Sequence, residues 1–185
     1  MRSASEEQVD QGYVQLLGQA IRTERVRLGF SQERFAHRVG FDRGYMGRVE
    51  RGQNNLTFGK LIIVLRAFGA KPRDFFRDIR LRVAQPRDVS KYKSLKNSHA
   101  WDDVSVVLGD AIRYERELAD LSQEALATRV GKSRSYISDL ECGHGNPTFG
   151  VLMQLLEGIE VEPADFFRHF AVPKRRRTRN SAPFQ

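Results

Sequence analysis

The feature that most restricts this chain is an internal repeat. Ser31, Gln32 and Glu33 recur as Ser122, Gln123 and Glu124, and the register then holds without a gap for about sixty residues. Gly40 matches Gly131, Arg43 matches Arg134, Tyr45 matches Tyr136, Glu50 matches Glu141, and Gly52 matches Gly143. Thr57, Phe58 and Gly59 return as Thr148, Phe149 and Gly150, and Asp74, Phe75 and Phe76 as Asp165, Phe166 and Phe167. Nearly half of the aligned positions are identical. The 185 residues therefore divide into two copies of one small unit, each short enough to need an economical helical core.

Within each copy the local signals are those of short helices. Ser122 can cap a helix through its hydroxyl, Glu124 then falls where the helix dipole favours negative charge, and Ala125, Leu126 and Val130 form an apolar stripe. Gly131 can end that helix in the left-handed conformation. Ser133 caps a second helix whose apolar positions are Ile137 and Leu140, with Arg134, Ser135, Ser138 and Asp139 left to point outward. A short helix with a polar tip, propped on another helix, is the shape that enters a DNA major groove.

The first copy follows the same plan: helix one from about residue 14 to Leu28, helix two capped by Ser31, and helix three capped by Asp42. Helix four is capped by Thr57, and a fifth helix, 73–79, follows Pro72. Residues 1–10 are polar and are expected to fray. The predicted organisation is residues 1–80 as domain one (core 14–79), 81–101 as a linker, 102–171 as domain two and 172–185 as a basic disordered tail. The phenylalanine pairs 75–76 and 166–167 read as core, with a dimer contact as the other reading.

The repeated pattern of Gln, Gly, Arg, Tyr and Glu resembles the helix-turn-helix domain of the phage Cro and repressor family, also called the xenobiotic-response-element family. The resemblance covers residues 16–76 and 107–167, and it is looser in the first copy's helix three. It implies an all-α fold of two lambda-repressor-like domains, about five helices each, in which helices two and three form the DNA-reading unit. Arg25 with Glu50, and Arg116 with Glu141, are then structural salt bridges that tie down the recognition helix. Gln32 and Gln123 are then phosphate contacts at the start of helix two, where free amides already favour an anion.

Arg43 and Arg134 open the two recognition helices, where a guanidinium fork can read guanine at about 1–3 kcal/mol of discrimination. The neighbouring outward positions are Gly44, Gly47 and Arg48 in the first copy and Ser135, Ser138 and Asp139 in the second. Each glycine weakens a helix by about 1 kcal/mol relative to alanine. Tyr45 and Tyr136 read as phosphate contacts or partial core. Asn54 and Asn55, and His144 to Asn146, lie where the family grips the DNA backbone, with Lys132, Arg38 and Arg129 as further phosphate candidates.

Composition agrees with a polyanionic partner. The net charge is +8, a distribution that favours nucleic acid without requiring it. Residues 1–80 carry +6, 81–101 carry +4, 102–171 carry −7 and 172–185 carry +5, so only the second copy is acidic. A single cysteine, Cys142, permits no internal disulfide, and no run suits a signal peptide or a membrane span. Cys142 with His144 falls short of a zinc site, and no histidine has the partners of a catalytic nucleophile.

The sequence thus predicts a cytoplasmic, prokaryotic or phage-encoded, nucleoid-associated transcriptional repressor that binds double-stranded DNA. No cofactor, metal or enzymatic activity is expected of it. A homodimer would carry four heads. The rival reading keeps DNA binding in domain one and makes domain two a dimerisation or protein-binding module, as in an antitoxin or accessory regulator.

Overall fold

The computed structural model describes residues 4–79 and 104–170, with side chains from residue 11 of the first stretch. The stretches assigned above to a linker and a basic tail lie outside the described residues. Among the described residues the secondary structure is helical: α1 (Ala4–Arg27), α2 (Gln32–Val39), α3 (Arg43–Glu50), α4 (Phe58–Phe68) and α5 (Pro72–Phe75) in the first copy. The second copy supplies α6 (Val104–Leu118), α7 (Gln123–Arg129), α8 (Arg134–Glu141), α9 (Phe149–Ile159) and α10 (Pro163–Phe166), closed by a 3-10 turn at Phe167–His169.

Local chemistry accounts for the helix starts. Ser31, Asp42, Ser122 and Ser133 each accept a hydrogen bond from the backbone amide three residues on, at 2.7–3.2 Å. Gly40 and Gly131 turn the chain out of α2 and α7 at φ 73° and 61°, a region that a side chain would strain. Two expectations are corrected. The first helix begins at Ala4 instead of fraying to residue 10, because Ala4, Glu6, Glu7 and Gln8 are good helix formers despite their polarity. The fifth helix is a single turn from Pro72 to Phe75.

Gly18 and Gly109 set how closely the first helix of each copy approaches the recognition helix. A Cβ at Gly18 would stand 2.4 Å from the Val49 carbonyl oxygen, and one at Gly109 would stand 2.5 Å from that of Leu140. Both are contacts no side chain could make without moving backbone. The end of α3 and the end of α8 are thereby held against the scaffold.

The two copies are not separate beads. Thr57 pairs with Thr148 in an antiparallel bridge, and these two residues are each other's counterpart in the repeat. The Phe58 amide donates to the Pro147 carbonyl at 2.8 Å, and the Phe149 amide to the Leu56 carbonyl at 2.7 Å. Asn146 Oδ1 accepts from the Gly59 amide at 3.0 Å, while Asn55 Oδ1 accepts from the Gly150 amide at 3.2 Å. Each bond is matched by its mirror in the other copy, the signature of a two-fold relation between like surfaces. Thr57 and Thr148 sit at the N-cap positions of α4 and α9 but make no side-chain capping bond; their carbonyls accept the first helical amides, from Leu61 and Leu152, while the residues on either side of them bond across the junction.

Aromatic packing completes the junction. Phe76 stacks on its counterpart Phe167 with ring centroids 4.1 Å apart, and Phe76 with Phe149 and Phe58 with Phe167 flank them at 5.8 and 6.2 Å. Of the two readings of the phenylalanine pairs, the core reading holds for Phe76 and Phe167, which are buried and join one copy to the other within the chain. A single hydrophobic core runs through both copies.

The symmetry is broken at the edges. Helix α1 also packs along α9, where the Tyr13 hydroxyl donates to the Glu157 carboxylate. Arg168 and His169 fold back on the buried Glu115 at 2.8 and 2.7 Å, whereas the counterpart Glu24 pairs at the surface with Arg27.

Candidate nucleic-acid interface

Each copy presents a short helix held from behind by a buried ion pair. In the first, Arg25 Nε and Nη2 reach the Glu50 carboxylate at 2.6 and 3.0 Å, while Nη1 donates to the Phe30 carbonyl at 2.7 Å. In the second, Arg116 makes the same two bonds to Glu141 at 2.6 and 3.0 Å and donates to the Leu121 carbonyl at 2.7 Å. Such two-pronged pairing fixes orientation as well as distance.

Burial works against the Glu141 carboxylate, but hydrogen bonds from Arg116 and Gln123 and the charges of Arg116 and Arg113 outweigh it. The carboxyl is therefore held below its ordinary value. The hydrogen bonds that Arg116 donates to Glu141 in turn raise its guanidinium above the ordinary value.

Apolar residues seat the recognition helices: Met46 and Val49 under α3, Ile137 and Leu140 under α8. Their first residues, Arg43 and Arg134, are exposed, as are Gly44 and Arg48 in α3 and Ser135 and Asp139 in α8. Ser138 is half-buried. Gly47 is buried beneath the side chains of Gln32 and Arg51, which lie against its bare backbone.

Six of the phosphate candidates have partners within the protein. The Gln32 amide donates to Glu50 at 3.0 Å and the Gln123 amide to Glu141 at 2.9 Å, so these glutamines brace the ion pair in the free protein. Asn55 and Asn146 spend their side-chain oxygens on the junction between the copies, and Asn55 Nδ2 also donates to Thr148 Oγ1 at 3.2 Å. Arg38 and Arg129 donate to the Ala67 and Gly158 carbonyls near the ends of α4 and α9, at 3.3 and 3.1 Å, a helix-ending role. Asn54 and Lys132 are half-buried and His144 is exposed.

One residue was missed by sequence reasoning. Lys60, in the first turn of α4, places its ammonium 3.3 Å from the Tyr45 hydroxyl and 4.5 Å over the Tyr45 ring. Half-buried Tyr45 also packs edge-on against Phe41 at 5.1 Å. An ammonium and a phenol side by side form a natural grip for a phosphate oxygen. The sequence signal was weak, since a single lysine on a helix, with Val151 at the matching position of the other copy, has no spacing or repeat to mark it. The half-buried Tyr136 has Val151 in the position of Lys60, while Lys132 stands in the position of Phe41.

Exposed charge separates the two heads. Helix α3 carries Arg43 and Arg48 and ends on Arg51; α8 carries Arg134 and Asp139 and ends on Cys142. Among the described residues no group of three His, Cys, Asp or Glu side chains is placed to hold a metal ion, and no helix is long and apolar enough to cross a membrane.

Comparison with known proteins matches residues 112–166 to a family described as helix-turn-helix, and residues 16–75 to one described as helix-turn-helix domain. No curated protein matches the chain. Among solved structures, the restriction-modification controller protein C.AhdI from Aeromonas hydrophila is 36% identical, over 36% of this chain and 96% of its own, with a TM-score of 0.34.

Proposed function

We propose that this chain, which belongs to the helix-turn-helix DNA-binding regulators of the Cro and repressor type and carries two such domains, reads both half-sites of its operator with one polypeptide and represses transcription by occlusion. The observation that carries the reading is the pairing of Thr57 with its own counterpart Thr148. On this reading the two-fold relation of the junction extends to the recognition helices, which then stand at one height along its axis. Duplex DNA offers the matching symmetry, with half-sites about one helical turn apart. The junction faces of the two copies are occupied by one another within the chain, and on this reading one chain serves one operator. Two heads fixed on a shared core would cover promoter DNA physically, which favours repression; no catalytic step enters the proposal.

The difference in charge between α3 and α8 supports a second reading, in which the second copy serves only to brace the first. Selection of bound sequences from random duplexes, using the intact chain and its Arg43→Ala and Arg134→Ala variants, separates the two. A two-part motif, each part erased by one substitution, supports two reading heads. A motif untouched by Arg134→Ala supports the bracing role. Placing the selected site over a promoter and measuring transcripts in vitro then tests repression.

A further inference from the structure

The glycines of α3 are each followed, one helical turn later, by an arginine. Side chains on a helix lean toward its N-terminus and lie over the residue about four positions before them. The structure follows this rule. A Cβ at Gly44 would stand 3.6 Å from Arg48 Nη1, and one at Gly47 would stand 3.2 Å from Arg51 Nη1. A methyl at Gly47 would press on the Arg51 guanidinium, which would have to give by a few tenths of an ångström. Arg51 Nε donates to Gln53 Oε1 at 3.0 Å, and the Gln32 side chain flanks the same bare backbone, 3.4 Å from that Cβ. Arg43, Arg48 and Arg51 are all exposed, and among the described residues none of the three is held in an ion pair. The counterparts of Gly44, Gly47, Arg48 and Arg51 in α8 are Ser135, Ser138, Asp139 and Cys142, so the second head has no such row.

We propose that Arg51, laid back over Gly47, is a base-reading side chain of the first head, and that with Arg43 and Arg48 it gives that head a guanine-rich half-site which the second head does not share. This rests on the reading of the chain as a two-headed DNA regulator. A guanidinium fork held in one plane is suited to guanine O6 and N7, and holding it in advance removes part of the entropy lost on contact. Gly47 is then a positioning residue: it touches no base, and its lack of a side chain sets where Arg51 lies.

The test is the same selection with the full chain, wild type against Arg51→Ala, Arg51→Lys and Gly47→Ala, each with its melting temperature and salt dependence. The wild type is expected to give an unequal motif, richer in guanine on one side. Arg51→Ala should erase the preference at one guanine and weaken the best site about 5- to 150-fold, the range of one good arginine–guanine contact. Arg51→Lys should keep the salt slope yet lose that preference. Gly47→Ala should lose it too while melting at or above the wild-type temperature, since alanine favours the helix.

If Arg51→Ala weakens all sequences evenly and lowers the salt slope by about one, Arg51 touches a phosphate and the proposal fails. It fails equally if the guanine preference survives Arg51→Ala, or if Gly47→Ala leaves that preference intact. A wild type with no preference among duplexes would overturn the two-headed reading itself along with this inference. A clear motif indifferent to Arg51 overturns the inference alone.

Discussion

Replacing Phe76 by alanine tests whether the two copies form one folding unit. The ring is fully buried. It stacks on Phe167 at 4.1 Å and on Phe149 at 5.8 Å, both in the other copy, and meets Phe75 edge-on at 5.1 Å. Truncating a buried phenylalanine costs about 3–5 kcal/mol through lost transfer energy and the cavity left behind, of which about 1 kcal/mol belongs to the stacked partner ring. For a domain of this size each kcal/mol lowers the melting temperature by about 2–4 °C, so Phe76→Ala should melt about 6–20 °C below wild type. Circular dichroism and calorimetry on the full chain give the temperature and the number of transitions.

A core shared by both copies requires one transition, displaced as a whole. Phe75→Ala is the control. That ring is half-buried and packs on Phe68 and Phe76 of its own copy, so its loss should cost about 1–2 kcal/mol. Two transitions in Phe76→Ala, one of them at the wild-type temperature, would refute the shared core, because the second copy would then stand without its partner.

Three other outcomes follow from the site. Glu141→Gln leaves the buried Arg116 with only the exposed Glu117 carboxylate, 3.5 Å away, as countercharge and should cost about 3 kcal/mol in urea unfolding. Because the Glu141 carboxyl titrates below its ordinary value of 4.5, its contribution is full above that pH and fades as pH falls through the lowered value. The same variant should therefore show a shallower loss of stability on acidification; an unchanged acid limb would contradict this. Asn146→Ala removes the bond to the Gly59 amide and should cost about 0.5–1.5 kcal/mol of stability while leaving the salt dependence of DNA binding as it was; a reduced salt slope would return Asn146 to the phosphate. Lys60→Ala should lower the slope of log affinity against log salt by about 0.9 without altering the preferred sequence, measured by fluorescence anisotropy at several salt concentrations.

The helices and their starts were legible because capping and apolar spacing act within a few residues. Ser31, Asp42, Ser122 and Ser133 needed no tertiary information to be recognised as caps, and the duplication made every local signal appear twice. The pairing of Arg25 with Glu50 and of Arg116 with Glu141 entered through family resemblance, and in the structure each pair lies within hydrogen-bond distance. What the sequence could not reveal was how one copy meets the other. Thr57 and Thr148, or Phe76 and Phe167, are identical letters in a repeat, and nothing in either copy says that its own double will be its partner. Asn55 and Asn146 have the composition of a phosphate-binding loop, and only the junction between copies gives their side chains other work. Gly47 falls at an outward position of an ideal helix, yet Gln32 and Arg51 arrive from one turn and one helix away to cover it. Local sequence determined the helices, because their energetics are local. Tertiary structure decided the two-fold junction and the covering of Gly47, because both depend on surfaces that come together only once the chain has folded.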